Sequence, residues 1–253
     1  MKQLEIRISS FLRKKVIKVT IPEAYREMTE AQFRALSKLN RNEITAECFM
    51  CEFFGIPESV WAKLDPYYVY VLTELVRRIK QNTFGNSFFV ENFKFGKVKR
   101  PLPHVPSMPL LQYMTIDTYA QWYEFTQKDA YLARFVSVLL VPDGVSFFDY
   151  EPNVSYLFAL DLISRNSVAK SAFLDLLFNW QLIRANLASK FSNLFPSSEG
   201  EEGEHKKQAP ASWTNIFDAL IGDHLENIET YKRLPAFDVF RIIDGRIHQN
   251  GTR

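Results

Sequence analysis

Two cysteines and nine glycines in 253 residues leave little room for some kinds of protein. With only two cysteines there is no disulfide framework. The opening stretch "MKQLEIRISSFLRKK" has neither an apolar core nor a small-residue cleavage site, so it does not read as a signal peptide and the expected setting is a reducing cytosol. No run reaches about 18 uncharged apolar residues, so no spanning helix is expected. Glycine stands at about half its average usage of roughly 7%, and few glycines mean few tight hairpins, which favours helices over a sheet-rich fold. Charge of one sign is also lacking: 31 Lys and Arg stand against 29 Asp and Glu, a net +2 with no overall pull toward nucleic acid or anionic lipid.

Chemical signatures are missing as well. The sequence contains no G-x-x-x-x-G-K-[ST], no G-x-G-x-x-G, no H-E-x-x-H and no G-x-S-x-G. The four histidines, His104, His205, His224 and His248, have no metal-ligand spacing among them. Asp223, His224, Glu226 and Glu229 cluster near a helix start, but residues two apart diverge on a helix, so the group reads as a solvated face. No catalytic residue, cofactor or metal site is therefore expected, and the chain reads as a non-enzyme.

Both cysteines lie in "ECFMCEFFG", spaced as C-x-x-C. A redox pair of this kind follows a strand and opens a helix, whose free amides lower a thiol pKa. Here the helix starts earlier, near Asn42 to Thr45, and stops at Gly55, and Ile44, Cys48 and Cys51 fall on one face of it. Phe49, Met50, Phe53 and Phe54 cover most of the rest, so the helix is expected to be buried and its thiols inert.

What is present is apolar and aromatic: 47% apolar residues, 22 of them phenylalanine. Residues 3–8 and 16–21 alternate like strands around the basic turn "SSFLRKK". Thr29 with Gln32 forms a capping-box pattern ahead of Phe33, Leu36 and Leu39. A short and then a long helix follow, each with proline near its start, the long one with Tyr67, Val71, Leu75 and Ile79 at helical spacing. Residues 84–109 hold two glycines and four prolines and read as a short hairpin and an extended connection. Lys94, Lys97, Lys99 and Arg100 sit there beside Phe93 and Phe95, either as a clamp for a single strand of nucleic acid or as the outer face of a ribbon packed through its phenylalanines.

Helical patterns return with Thr115 as a cap before Tyr119, Trp122, Tyr123 and Phe125, and with Asp129 as a cap before Leu132, Phe135, Val136 and Leu139. A short helix over "VSYLFALDLISRN" leads into a long one with Phe173, Leu176, Leu177, Trp180 and Ile183 as its buried side. "PSSEGEEGEHKKQAPAS" has no large apolar residue and reads as a flexible linker. Beyond it, Trp213, Ile216, Phe217, Leu220 and Ile221 make one amphipathic stripe, and Leu234, Phe237, Phe240 and Ile243 or Ile247 another. Their apolar faces must bury against the rest of the chain or against another protein.

The expected fold class is mainly α (α+β): a multi-helix bundle with a short N-terminal β-hairpin and a small β-ribbon near 88–100. The expected division is a helical body over 1–195, with β elements at 3–21 and 86–100, a linker over 196–212, and an amphipathic helical unit over 213–253.

"VTIPEAYREMTEAQF" resembles the start of proteins from tailed phages and prophages of Bacteroidetes, which open on I-P-x-x-[YW]-x-E-[ML]-T-x-x-Q-[FL]. "MTIDTYAQWYEFTQKDAYLARFVSVLLVP" is similar to their middle segment and "PASWTNIFDALIGDHLENIETYKRLPAFDVFRII" to their C-terminal one. The resemblance implies a tail assembly chaperone or tail morphogenesis factor in the cytoplasm of the bacterial host, with virion association as a further outcome. The implied partner is the tail tape-measure protein or another tail protein. The C-terminal apolar stripes make Trp213, Phe217, Leu220, Leu234, Phe237 and Phe240 the candidate surface for it, unless they pack on the body of the same chain. The alternative is a nucleic-acid-binding or regulatory phage protein using Lys14, Lys15, Lys97 and Arg100.

Overall fold

A computed structural model of the chain describes residues 2–10, 13–81, 85–95, 98–195, 213 and 227–251. The fold is mainly helical, with two antiparallel two-stranded sheets. The chain divides into two compact units, Met1–Gly85 and Asn86–Arg253. Residues 227–251 belong to the second of these units, and the expected linker at 196–212 lies outside the described residues.

In the first unit, strand β1 (Lys2–Ser10) pairs with β2 (Arg13–Ile21), so the hairpin is longer than the alternation at 3–8 and 16–21 indicated. Leu4 lies opposite Val19 and Ile6 opposite Ile17, which puts these residues on one face. Ile6, Val19 and Ile21 on that face are buried, while Glu5 and Lys18 pair across the exposed one.

Four helices follow: α1 (Glu30–Asn40), α2 (Ala46–Phe54), α3 (Glu58–Trp61) and α4 (Pro66–Gln81). Thr29 caps α1 through a complete capping box, its hydroxyl accepting from the Gln32 N–H while the Gln32 side chain accepts from the Thr29 N–H. The same Gln32 donates its amide to the Thr20 carbonyl, which ties α1 to the hairpin.

Helix α2 ends at Gly55, whose φ of 65° is left-handed. Ile56 N–H donates to Cys51 O at 3.0 Å and Gly55 N–H to Glu52 O at 3.4 Å, the paired closure of a Schellman motif.

The stripe of α4 is rotated from the expected one. Leu72, Val76 and Ile79 are buried, whereas Tyr67 is 67% exposed. Leucine and valine lose more than tyrosine by facing water, because the phenol can keep its hydroxyl solvated.

The second unit starts with a ribbon of β3 (Asn92–Phe95) and β4 (Val98–Pro101). Helices α5 (Leu110–Thr126), α6 (Asp129–Leu139), α7 (Asn153–Arg165) and α8 (Ser167–Lys190) form its body. Helices α9 (Ile228–Arg233) and α10 (Ala236–Gly251) follow among its described residues.

Helix α5 begins five residues before the expected cap at Thr115, because Pro109 stands at its N-cap and makes Leu110 the first helical residue. Proline loses nothing at a helix start, where its missing N–H would have no partner. Thr115 is interior, and its hydroxyl donates to the Leu111 carbonyl at 2.7 Å. Asp129 is likewise the first residue of α6, with Lys128 at the cap position.

The stripes of α6 (Leu132, Phe135, Val136, Leu139) and α8 (Phe173, Leu176, Leu177, Trp180, Ile183) are buried as their spacing predicts. The C-terminal segment joins this body through main chain: Leu110 N–H donates to Leu234 O and Ala236 N–H to Met108 O, both at 2.8 Å, around a bridge between Pro109 and Pro235.

Candidate protein-binding site

Three of the residues expected to meet a partner lie in the core of their own unit. Trp213, Phe237 and Phe240 are all buried. Trp213 stacks on Phe240 with ring centres 5.8 Å apart, and Phe240 meets Tyr113 at 4.9 Å and Phe191 at 5.8 Å. Leu234 is half-buried beside α5, and Phe217 and Leu220 lie outside the described residues. Asp244 of α10 adds a polar fastening, accepting from the backbone N–H groups of Asn193 and Leu194 at 2.9 Å.

At the centre of this core sits a carboxylate that the sequence did not single out. Asp117, on the buried side of α5, is 2% exposed. Its Oδ1 accepts from Trp180 Nε1 at 3.0 Å and pairs with Arg184 Nε at 2.8 Å. Its Oδ2 accepts from Trp213 Nε1 at 2.9 Å and Gln121 Nε2 at 2.6 Å. Four donors fill the acceptor sites of the group, so it serves to hold donors in place and has no free lone pair for a substrate or a metal ion.

Arg184 also bridges to Glu124 at 3.2 Å. Burial acts to lower its pKa, but the Asp117 and Glu124 charges outweigh that and hold the guanidinium above its usual range. Burial, and then the Asp117 charge, push the Tyr113 phenol well up. The signal for Asp117 in the sequence is an acidic residue inside the stripe Tyr113, Ile116, Ala120, each of which is buried.

An exposed apolar surface lies on another part of this unit. Helix α7 buries only Ala159 and Ile163 among its described side chains and turns Val154 (79% exposed), Leu157 (63%) and Phe158 (56%) to solvent. These positions, i, i+3 and i+4, form one ridge along the helix. Val168, at the start of α8, is also exposed.

Beside the ridge is a groove of about 340 Å³, walled by Val136 and Leu140 of α6, Phe158 of α7, Phe173 of α8 and Phe93 of β3. Arg100 of β4 completes the wall and is its one charged residue among those described. The ribbon register accounts for that placement. Phe93 lies directly opposite Arg100, so both side chains leave the same face of the ribbon, and Phe93 packs on Phe173 at 5.5 Å. Lys94 lies opposite Lys99, and both are exposed. The basic cluster is thus divided between two faces, with Lys97 outside the described residues.

Arg100 is half-buried and makes no ion pair or hydrogen bond with any described residue. Nearby cations differ. Lys170 pairs with Asp129 at 2.8 Å, Arg165 with Asp161 at 2.8 Å, and Arg134 lies over the Tyr156 ring at 4.6 Å.

The remaining sequence candidates are dispersed. Cys51 is buried, and desolvation, followed by the charges of Glu58 and Glu47 and by Cys48, raises its thiol pKa. Cys48 is half-buried, with its sulfur 3.8 Å from a Glu58 oxygen. His104 bonds Ser107 at 3.0 Å, His248 lies on α10, and His205, His224, Asp223 and Glu226 are outside the described residues. Glu229 is exposed and pairs with Lys232. The side chains of Lys14 and Lys15 are likewise outside the described ones. Among the described residues no helix is long and apolar enough to cross a membrane, and no three His, Cys, Asp or Glu side chains group as metal ligands.

No protein-family model matches the chain, and no curated protein and no solved structure shows significant similarity to it.

Proposed function

We propose that this chain is a phage tail assembly chaperone or related tail morphogenesis factor that acts in the host cytoplasm by binding another tail protein, with the tape-measure protein as its partner. It performs no bond-making chemistry in this reading. The resemblance of residues 19–33, 114–142 and 210–243 to phage tail-module proteins supports the role.

The observation that carries the mechanism is the solvent-facing ridge Val154, Leu157, Phe158 beside an apolar groove. Contiguous exposed apolar surface is costly to keep in water and marks interaction sites. A tape-measure protein is long, helical and amphipathic, and it aggregates unless its apolar stripes are covered before the tail tube forms around it. A ridge and groove of this kind suit reversible helix-in-groove contact. The surface differs from the one the sequence suggested, since Trp213, Phe237 and Phe240 are occupied by their own unit.

The test is co-expression with the tape-measure protein of the same phage. The unaltered chain should keep that protein soluble and copurify with it, and Leu157→Asp with Phe158→Asp should lose both effects while keeping its helical circular dichroism. Copurification unaffected by the double substitution, or none with the unaltered chain, would refute the proposal.

A further inference from the structure

We infer that the groove between α7 and the β3–β4 ribbon takes an apolar anchor side chain from a helical segment of the partner, and that Arg100 pairs with a carboxylate neighbouring that anchor. This rests on the protein-binding reading above and specifies the chemistry of the segment bound.

The walls supply the first half of the argument. Phe93, Val136, Leu140, Phe158 and Phe173 offer an apolar lining around about 340 Å³, at the small end of the range for ligand pockets. That space holds one or two side chains rather than a domain. Exposed Val154 and Phe158 form part of its rim and Leu157 lies just outside it, so a helix lying along the ridge covers all three while inserting its anchor. A lone amphiphile seated in the groove would leave Leu157, which is not part of its lining, in water.

Charge supplies the second half. Arg100 is fixed on the groove side by its register with Phe93, is half removed from water, and lacks a described counter-ion, whereas Arg165 and Lys170 each have one. A partly desolvated guanidinium next to an apolar wall interacts more strongly with an opposite charge than one in bulk water does. A carboxylate arriving beside the anchor satisfies it with a planar, two-pronged acceptor. A cationic residue in the same place is repelled.

The probes are three fluorescein-labelled helical peptides of about 16 residues, alanine-based, with Phe and Leu one turn apart. They differ only in carrying Glu, Gln or Lys one turn beyond the Phe. Titrated with the full chain and followed by anisotropy, they should bind in the order Glu, Gln, Lys, with about tenfold between the extremes. Arg100→Gln should flatten that order, Arg100→Glu should invert it, and Phe158→Ala should weaken all three peptides.

Equal binding of the three peptides, an order unchanged by Arg100→Glu, or binding of dodecanoate but no peptide would overturn the inference. If the order fails while Leu157→Asp with Phe158→Asp still abolishes tape-measure copurification, only the role of Arg100 and its carboxylate falls. If copurification itself fails, the protein-binding reading falls with it.

Discussion

Trp213 donates its indole N–H to Asp117 across 2.9 Å, although 96 positions separate them in the chain. The same carboxylate receives the indole of Trp180 from α8 and the Arg184 side chain. One buried anion thus fixes the C-terminal region against two helices, and the stacking of Trp213 on Phe240 surrounds that anchor with apolar surface. A buried charge is tolerated only when its partners are in place, so the contact commits the chain to one arrangement.

Asp117→Asn preserves size but removes the charge opposite Arg184 and turns one acceptor into a donor facing donors. A loss of about 2–3 kcal/mol is expected, at or below the usual cost of breaking a buried pair, because Arg184 keeps Glu124. Urea denaturation followed by tryptophan fluorescence measures it. A loss under about 0.5 kcal/mol, the range of ordinary surface changes, would show that the four donors are not interdependent.

Trp213→Phe separates the hydrogen bond from the packing. The ring still reaches Phe240, but Asp117 Oδ2 is left with Gln121 alone. The expected cost is about 1–2 kcal/mol, against about 3–5 kcal/mol for Trp213→Ala, which also empties the aromatic cluster. The two variants compared by thermal melting should differ; identical losses would place the whole contribution in the indole N–H.

Gly55→Ala tests the end of α2. Apart from Gly55 itself and its two chain neighbours, no described atom lies within 4 Å of the position a Cβ would take, so the cost is that of the left-handed backbone at φ 65°. About 1–2 kcal/mol of protection against hydrogen exchange should be lost from the α2 amides. Gly55→Asn should lose less, since asparagine visits this conformation more readily. Equal effects of the two would mean that a side chain of either kind is excluded sterically.

The two thiols should react unequally. With the protein native, iodoacetamide is expected to modify Cys48 first and Cys51 only slowly, because the latter is buried with its pKa raised. The sign follows from linkage: the unfolded thiol ionises at a lower pH than the folded one. The contribution of Cys51 to stability is therefore complete below the ordinary thiol pKa and is lost as pH rises through the folded value. Mass spectrometry of the alkylated peptides across a pH series decides the matter; equal rates at both cysteines would contradict the burial of Cys51.

Features set by neighbours along the chain were legible in the sequence. The Thr29–Gln32 capping box, the stop at Gly55 and the buried stripe Leu132, Phe135, Val136, Leu139 each depend on residues within a turn or two. Features set across the fold were not. Asp117 acquires its meaning from Trp180 and Trp213, which lie 63 and 96 positions away. Arg100 looks like one member of a basic cluster until the register with Phe93 assigns it a face. The α4 stripe was misplaced because Tyr67 and Leu72 suit a helix equally, and only packing decides between them. In the last C-terminal stripe Phe237, Phe240 and Ile243 are buried, but periodicity does not say which surface covers them.

The pairing of Pro109 with Pro235 has a consequence for biosynthesis. The start of α5 meets its main-chain partners, Leu234 and Ala236, only after more than half of the second unit has followed it off the ribosome. For most of that interval Asp117 waits for the indole of Trp213, and throughout it the ring of Tyr113 lacks Phe240. The nascent second unit is thus held incomplete until its last helices emerge, and a stop codon in the interval would leave a chain for proteases to remove.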